Sequence, residues 1–318
     1  MNVKRVAVIF LVLAMLAGFA GPALAAPHGA AIVSGAAGVG VETFSFLAAG
    51  DPQLGAGSDE GRLGAGGDLD SDRAGWRGAL LNATSRWDDF AFLITVGDQL
   101  HRNRNEAQME AFFAPIAEVG LPVAPVPGNH DQDILEGLDL PNLDKNGNYW
   151  YTYGGVLFMH INSVYKAGSY TGILRFLRSA TRANKDAQWK IVTFHHSIYS
   201  AISRSMEPAT IVRRIDYTTM FDHFGIDLAL MGHDHVYTRT KPMRHMLPCE
   251  QGITYVSMNS ASGNRYTMPN RDFRFVAVTM QALAPTLTRV TVTPGALALT
   301  TFRADTMETL DEFQINKK

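Results

Sequence analysis

A chain of 318 residues with 46% hydrophobic residues and a formal net charge of -2 is long enough for one large domain or two small ones. That balance advertises no basic face for nucleic acid and no acidic disordered tail. The single cysteine, Cys249, excludes an internal disulfide and any thiolate cluster, so a bound metal must be held by nitrogen and oxygen ligands.

The chain opens on MNVKRVAVIFLVLAMLAGFAGPALAAPHG. Lys4 and Arg5 form a positive n-region, residues 6–19 an apolar stretch, and Ala23-Leu24-Ala25 a small-residue cleavage site. This pattern predicts a signal peptide over 1–25 and one exported domain over 26–318, in the periplasm, the envelope or the medium. The apolar stretch is short for a membrane span, and no cysteine near the cleavage site offers a lipid attachment point. No span after cleavage, no lipoprotein and no obligate protein partner are expected.

Further along, the runs TFSFLAA, FAFLITV, LPVAPV, VLFMHI, WKIVTF and DLALM read as strands. Helices are predicted over about 72–87, with Asp72 as N-cap and Trp76, Leu80, Ala83 and Trp87 on one face, and over 105–119, stopping at Gly120. Two more fall at 170–184 and 208–224, the last stopping at Gly225. Residues 55–67, GAGSDEGRLGAGG, read as a surface loop. The C-terminal runs ITYVSM, FRFVAVTMQ, TLTRVTV, ALALTTF and DEFQI are strands without helices between them, expected to form a hairpin-rich second sheet packed on the first. The fold class is therefore α/β, with two facing sheets and helices outside.

The polar residues fall at the ends of the first strands. Asp51 follows TFSFLAAG, Asp98 follows FAFLITVG, and Asn129 and His130 follow LPVAPVPG. His195 and His196 end WKIVTFHH, and His233, Asp234 and His235 follow DLALMG. Ligands collect beyond the carboxyl ends of strands in α/β sheets, so five strands of one sheet would bring these side chains to one rim. Asp or Asn beside Gly after a strand is ordinary turn chemistry, the paired histidines alone are incidental and GHDH is more specific, but the five together are not ordinary. Two carboxylates, an amide oxygen and at least three imidazoles are too many ligands for one ion and about right for two. Such a pair clamps the attacking and leaving oxygens of a displacement at phosphorus. Imidazole with hard oxygen suits Mn, Fe or Zn.

GDPQ at 50–53, GDQ at 97–99, GNHD at 128–131, VTFHH at 192–196 and GHDHVYTR at 232–239 resemble the calcineurin-like metallophosphoesterases. The flavour is that of the exported bacterial branch related to purple acid phosphatases. The resemblance runs from about residue 43 to 300 and implies the four-layer sandwich of that family. It also implies a dinuclear phosphatase or phosphodiesterase acting on a phosphate-ester substrate. Asp98 would bridge the metals, Asp51 and His235 would hold the first, and Asn129, His195 and His233 the second. A water or hydroxide on the metals would attack phosphorus, His130 would serve the leaving oxygen, and Asp131 would orient the His130 ring. His196 is a candidate phosphate contact.

The chain departs from the family at its first motif, where most members read Asp-x-His and this one has Gln53. Purple acid phosphatases supply a tyrosine three residues after the bridging aspartate, and here that position is His101. Three arrangements are open: His101 as a nitrogen ligand, Gln53 as a weak one, or three protein ligands completed by water or substrate. Without the tyrosinate the iron form should not be purple. The alternative function is a metal-poor envelope protein of the same fold that binds a phosphorylated ligand without turnover. A zinc peptidase or lactonase is disfavoured, because the chain has neither His-x-His-x-Asp-His nor His-Glu-x-x-His. His160, inside VLFMHI, reads as a core histidine, Arg239 as one half of an ion pair, and the Asn82-Ala83-Thr84 sequon as lying within a helix.

Overall fold

The computed structural model describes residues 27–35, 40–58, 67–164 and 170–317; the predicted signal peptide and part of the 55–67 loop lie outside them. In chain order the main elements are β1 (Phe44–Ala49), α1 (Leu69–Arg86), β2 (Phe90–Thr95), α2 (Glu106–Val119), β3 (Val123–Pro125), β4 (Tyr149–Tyr153) and β5 (Val156–Ile161). Then come α3 (Tyr170–Ala183), β6 (Trp189–His196), α4 (Pro208–Phe224), β7 (Leu228–Gly232), β8 (Tyr237–Thr240), β9 (Met243–Arg244) and β10 (Leu247–Pro248). β11 (Thr254–Ser257), β12 (Val276–Met280), β13 (Thr286–Val292), β14 (Ala296–Arg303) and β15 (Thr309–Asn316) complete the chain.

Local signals set the helix ends. Asn105 caps α2 by accepting the Gln108 amide, and Gly120 and Gly225 close α2 and α4 in the left-handed conformation that glycine adopts without cost. α1 begins earlier than predicted. Asp68, not Asp72, is its N-cap and accepts the Ser71 amide. Asp72 is drawn inward instead, where it accepts the amides of Gly55 and Gly57 at 2.7 and 3.2 Å.

The strands divide into a six-stranded sheet ordered β15-β14-β13-β1-β2-β3 and a seven-stranded sheet ordered β12-β8-β11-β7-β6-β5-β4, with β9 and β10 paired apart as a two-stranded ribbon. This corrects two expectations. The five motif-bearing strands do not share one sheet: β1, β2 and β3 lie in the first, β6 and β7 in the second. Nor do the C-terminal strands form a sheet of their own. β13–β15 extend the first sheet through an antiparallel β1–β13 pair, while β11 and β12 join the second through β7 and β8. Pairing between strands far apart in sequence leaves no mark on local periodicity.

Alternation decides what each strand buries. Val156 and Phe158 of β5 join the core between the sheets, whereas Leu157, Met159 and Ile161 join the one under α3 and α4. Between the sheets Phe158 meets the edges of both Phe46 and Phe92, with ring centroids 5.3 Å apart in each case. Helices α1 and α2 cover the other side of the six-stranded sheet, where Trp76 stacks on Phe112 and donates to its carbonyl at 3.0 Å. The result is four layers, helices outside and sheets facing. Arg239 forks onto Asp311, tying β8 to β15, and Asn82 donates to the Ala304 carbonyl from within α1.

His160 is the core histidine expected. It contacts Thr193 Oγ1 at 2.7 Å, stacks on Tyr149 and Tyr151, and its buried Nε2 has no hydrogen-bond partner among the described residues. Burial pushes its pKa down to about 3, so the folded chain refuses a proton that the unfolded chain accepts near pH 6.5. Stability on this residue's account is full above that value and falls by roughly 1.4 kcal/mol per pH unit as pH drops towards the folded value. Urea unfolding of the chelated protein at pH 7 and pH 5 is expected to show a smaller loss on acidification for His160→Phe than for wild type. Equal losses would overturn the assignment.

Candidate metal centre

β1, β2 and β3 from one sheet and β6 and β7 from the other deliver the motif residues to one seam. One ligand atom each from Asp98, His195 and His233 lie within 4.8 Å of one another, and the same holds for Asp51, Asp98 and His235. Asp98 is common to both groups. The turns are tight. Asp51, Gln53, Asp98, His233 and His235 all have positive φ, between 40° and 75°, which stores roughly 1 kcal/mol at each. Gly97 at φ 100° lets the chain pass directly against the His195 ring.

The donors fit a cation. His195 Nδ1 lies 3.0 Å from the Val96 carbonyl, which assigns its proton there. Its Nε2 then faces Asp98 Oδ2 at 3.2 Å, Asn129 Oδ1 at 3.1 Å and His233 Nδ1 at 3.0 Å. Two nitrogens and two oxygens converge there, more than one proton can satisfy. Charges respond accordingly. Burial disfavours the Asp98 carboxylate, yet His195 and His130 hold its pKa down to about 2. Burial also opposes a charged His195, yet Asp98 and Asp51 lift it to about 9. That proton would sit on Nε2, where the donors meet, and a cation displaces it. Burial and the positive charge of His195 push His233 well below its ordinary range, leaving it a neutral base.

At the other group, His235 Nε2 lies 3.4 Å from Asp51 Oδ1, with Nδ1 turned to the Arg265 carbonyl at 3.2 Å. Both Asp51 oxygens also lie 2.9 Å from the His233 amide. Gln53 and His101 stand beside this group. Gln53 Oε1 accepts from Arg265 at 3.3 Å, and its Nε2 meets His101 Nδ1 at 3.4 Å. Asp51, Asp98 and His235 are the carboxylate and imidazole donors gathered at the first position, and Gln53 lines the same cavity.

His130 lines the cavity over the centre, which encloses about 250 Å³. Its Nδ1 meets the His101 carbonyl at 2.9 Å, and its amide donates to Asp98 Oδ1. The expected contact from Asp131 to the His130 ring is not formed. Asp131 instead accepts the amides of Gln99, Leu100 and Gly128, at 2.5, 3.1 and 2.7 Å, because three unpaired N–H groups surround it. Burial, reinforced by Asp98, raises its pKa to about 7. It fixes the loop and leaves the ring to a carbonyl. His196 contacts Ser163 Oγ at 2.9 Å and packs on His233, outside the cavity lining. Sequence reasoning missed Arg204 and Arg265, which both line the cavity. Neither lies in a motif, so no spacing signal marks them. A second cleft of about 210 Å³, beside Asp222, Asp227 and Lys317, contains none of the motif residues.

The fold and the donor set define an α/β protein with two candidate cation positions that share Asp98. The chain belongs to the calcineurin-like phosphoesterase family, whose model matches residues 44–237 and takes in all five strand-end motifs. No curated protein matches the chain in sequence. Among solved structures it is similar to the purple acid phosphatase PPD1 from yellow lupin (Lupinus luteus) seeds, with a TM-score of 0.68 at 16% identity, over 87% of this chain and 54% of that one. This chain thus spans about half the length of the lupin enzyme. GAP50, the anchor in the inner membrane complex of Plasmodium, matches with a TM-score of 0.59 at 14% identity, over 87% and 89%. A dimetal phosphatase from Danio rerio gives 0.59 at 10% identity, over 86% and 99%. At such identities the likeness speaks for the fold alone.

Proposed function

We propose that this chain is an exported phosphoesterase with a two-metal centre that hydrolyses phosphate mono- or diesters. One observation carries the reading: Asp98 belongs to both donor groups, with oxygen and imidazole donors converging on either side. Asp51, Asp98 and His235 would hold one ion, and Asp98, Asn129, His195 and His233 the other. The donor chemistry suits Mn, Fe or Zn. When bound, such a pair neutralises phosphate charge and lowers the pKa of water into the neutral range. The chain's own residues do the rest. His130 keeps Nδ1 on the His101 carbonyl, so its Nε2 is the nitrogen left to exchange a proton with the leaving oxygen. Asp131 pins the GNHD loop that carries both His130 and Asn129. Export rests on the residue pattern over 1–25; among the described residues no helix is long and apolar enough to cross a membrane.

A second reading has one observation in its favour. Among the described residues the first position gathers three carboxylate and imidazole donors, with Gln53 where most of the family has a histidine, and a protein described as an anchor shares the fold. A metal-poor binding protein would follow. Reconstitution with Mn, Fe and Zn, followed by metal counting and rates on p-nitrophenyl phosphate and bis-p-nitrophenyl phosphate, separates the two. We expect about two ions per chain and metal-dependent hydrolysis. A folded protein with less than about one ion per chain and no turnover would replace the enzyme reading with the binding one.

A further inference from the structure

Metal binding does not explain Arg204 and Arg265. Both guanidinium-bearing residues line the cavity over the centre. Arg204 is compensated, with Nη1 2.6 Å from His233 Nε2 and 3.4 Å from Asp234 Oδ1. Arg265 is not. It is half-buried, its side chain donates to the neutral Gln53 Oε1 at 3.3 Å, and no carboxylate among the described residues lies within ion-pair distance of it. A half-buried guanidinium without a counter-ion is costly unless an anion completes it.

The loop that carries Arg265 is built rather than loose. Asn264 Nδ2 donates to the carbonyls of Pro52 and Gln53 at 3.2 and 3.0 Å, and Ser262 Oγ to Pro52 at 2.6 Å. Thr267 donates its amide to the His235 carbonyl, and His235 Nδ1 meets the Arg265 carbonyl. The backbone of Arg265 is therefore fixed to two of the three loops that supply the first donor group, those of Asp51 and His235. Arg204 reaches in from the opposite motif, through His233. A charge held this way is pre-organised for a ligand that enters between the two loops.

We propose that Arg265 and Arg204 form a charge clamp that restricts the centre to esters whose phosphate carries two negative charges, which makes the substrates phosphomonoesters. The proposal rests on the phosphoesterase reading and narrows it. A monoester has a second ionisation near pH 6 and three terminal oxygens to offer, whereas a diester keeps one charge and two. The planar fork of Arg265 matches a pair of terminal oxygens, which a lysine ammonium does not reproduce.

The test is calorimetric binding of inorganic phosphate and of dimethyl phosphate at pH 8 to the metal-reconstituted full chain. It compares wild type, Arg265→Ala, Arg265→Lys and Arg204→Ala, with metal counted on every sample. We expect the phosphate Kd to rise about 10- to 100-fold in Arg265→Ala, less in Arg265→Lys, and about tenfold in Arg204→Ala. Dimethyl phosphate affinity should move less than about threefold, and metal content should hold. The KM for p-nitrophenyl phosphate should rise in step while that for the diester does not. Unchanged phosphate affinity in Arg265→Ala and Arg265→Lys, or an equal loss for both anions, would overturn the clamp. If wild type takes up no metal and turns over nothing, the phosphoesterase reading fails separately. Binding to the chain as purified then decides the clamp: a clear preference for phosphate sustains it, and equal binding removes it.

Discussion

Asp98→Asn is expected to strip the centre of metal and to cut hydrolysis of p-nitrophenyl phosphate by roughly 10³-fold or more. The substitution keeps shape and removes charge. Asp98 is the one residue in both donor groups, and its Oδ2 lies 3.2 Å from His195 Nε2. An amide there offers one weak oxygen where two positions need a carboxylate. Asp98 Oδ1 also accepts the His130 amide at 2.9 Å, a bond the amide oxygen of Asn can retain, so the loop should hold its place. In the metal-free state the raised pKa of His195 should fall back, since Asp98 is the charge that chiefly raises it. Metal counting beside turnover is the measurement. A variant that keeps about two ions per chain and a rate within about tenfold of wild type would mean that Asp98 does not bridge.

Gly128→Ala should do comparable damage from one methyl group. A Cβ built on Gly128 lands on the Asp98 amide nitrogen and on Asp98 Oδ1, and comes within 2.8 Å of Asp98 Cα. These neighbours are largely backbone and cannot rotate away. Gly128 also donates its amide to Asp131 at 2.7 Å, so a shift of the loop breaks that bond as well. Overpacking of this kind costs about 1–3 kcal/mol, and displacing donor groups by an ångström costs about 10²-fold in rate. We expect a lower melting temperature, a chain that loses metal to a mild chelator, and turnover reduced by about two orders of magnitude. Wild-type melting and metal retention in Gly128→Ala would show that the loop has room that the structure does not give it.

The helices and most strands were legible in the sequence because their signals are local. Asn105, Gly120 and Gly225 mark ends through their own side chains or backbone preference. Asp68 and Asp72 show the limit: either could cap α1, and the choice is made by two glycine amides of a distant loop. The division of the strands between two sheets was not legible for the same reason. β8 hid inside GHDHVYTR, which read as a marker of family before it read as a strand, and β4 was not among the runs read as strands. The donor residues were legible because each ends a strand. The Asp131 contact was not, because its partners are backbone amides, which every residue has. Arg265 was invisible because its position depends on Ser262 and Asn264 folding back onto Pro52 and Gln53.

One feature of the sheet arrangement reaches beyond coordination. The oxygen donors Asp51, Asp98 and Asn129 all follow strands of the six-stranded sheet, and the imidazoles His195, His233 and His235 all end or follow strands of the seven-stranded one. Neither layer holds a usable half, and any ion would rivet one layer to the other. Slippage between the layers by an ångström would open both positions at once. Phe46, Phe92 and Phe158 interlock between the sheets and resist such slippage. Affinity for any such ion would thus be partly a property of the hydrophobic middle, and a volume change among those three rings would be felt at the seam as a change in fit.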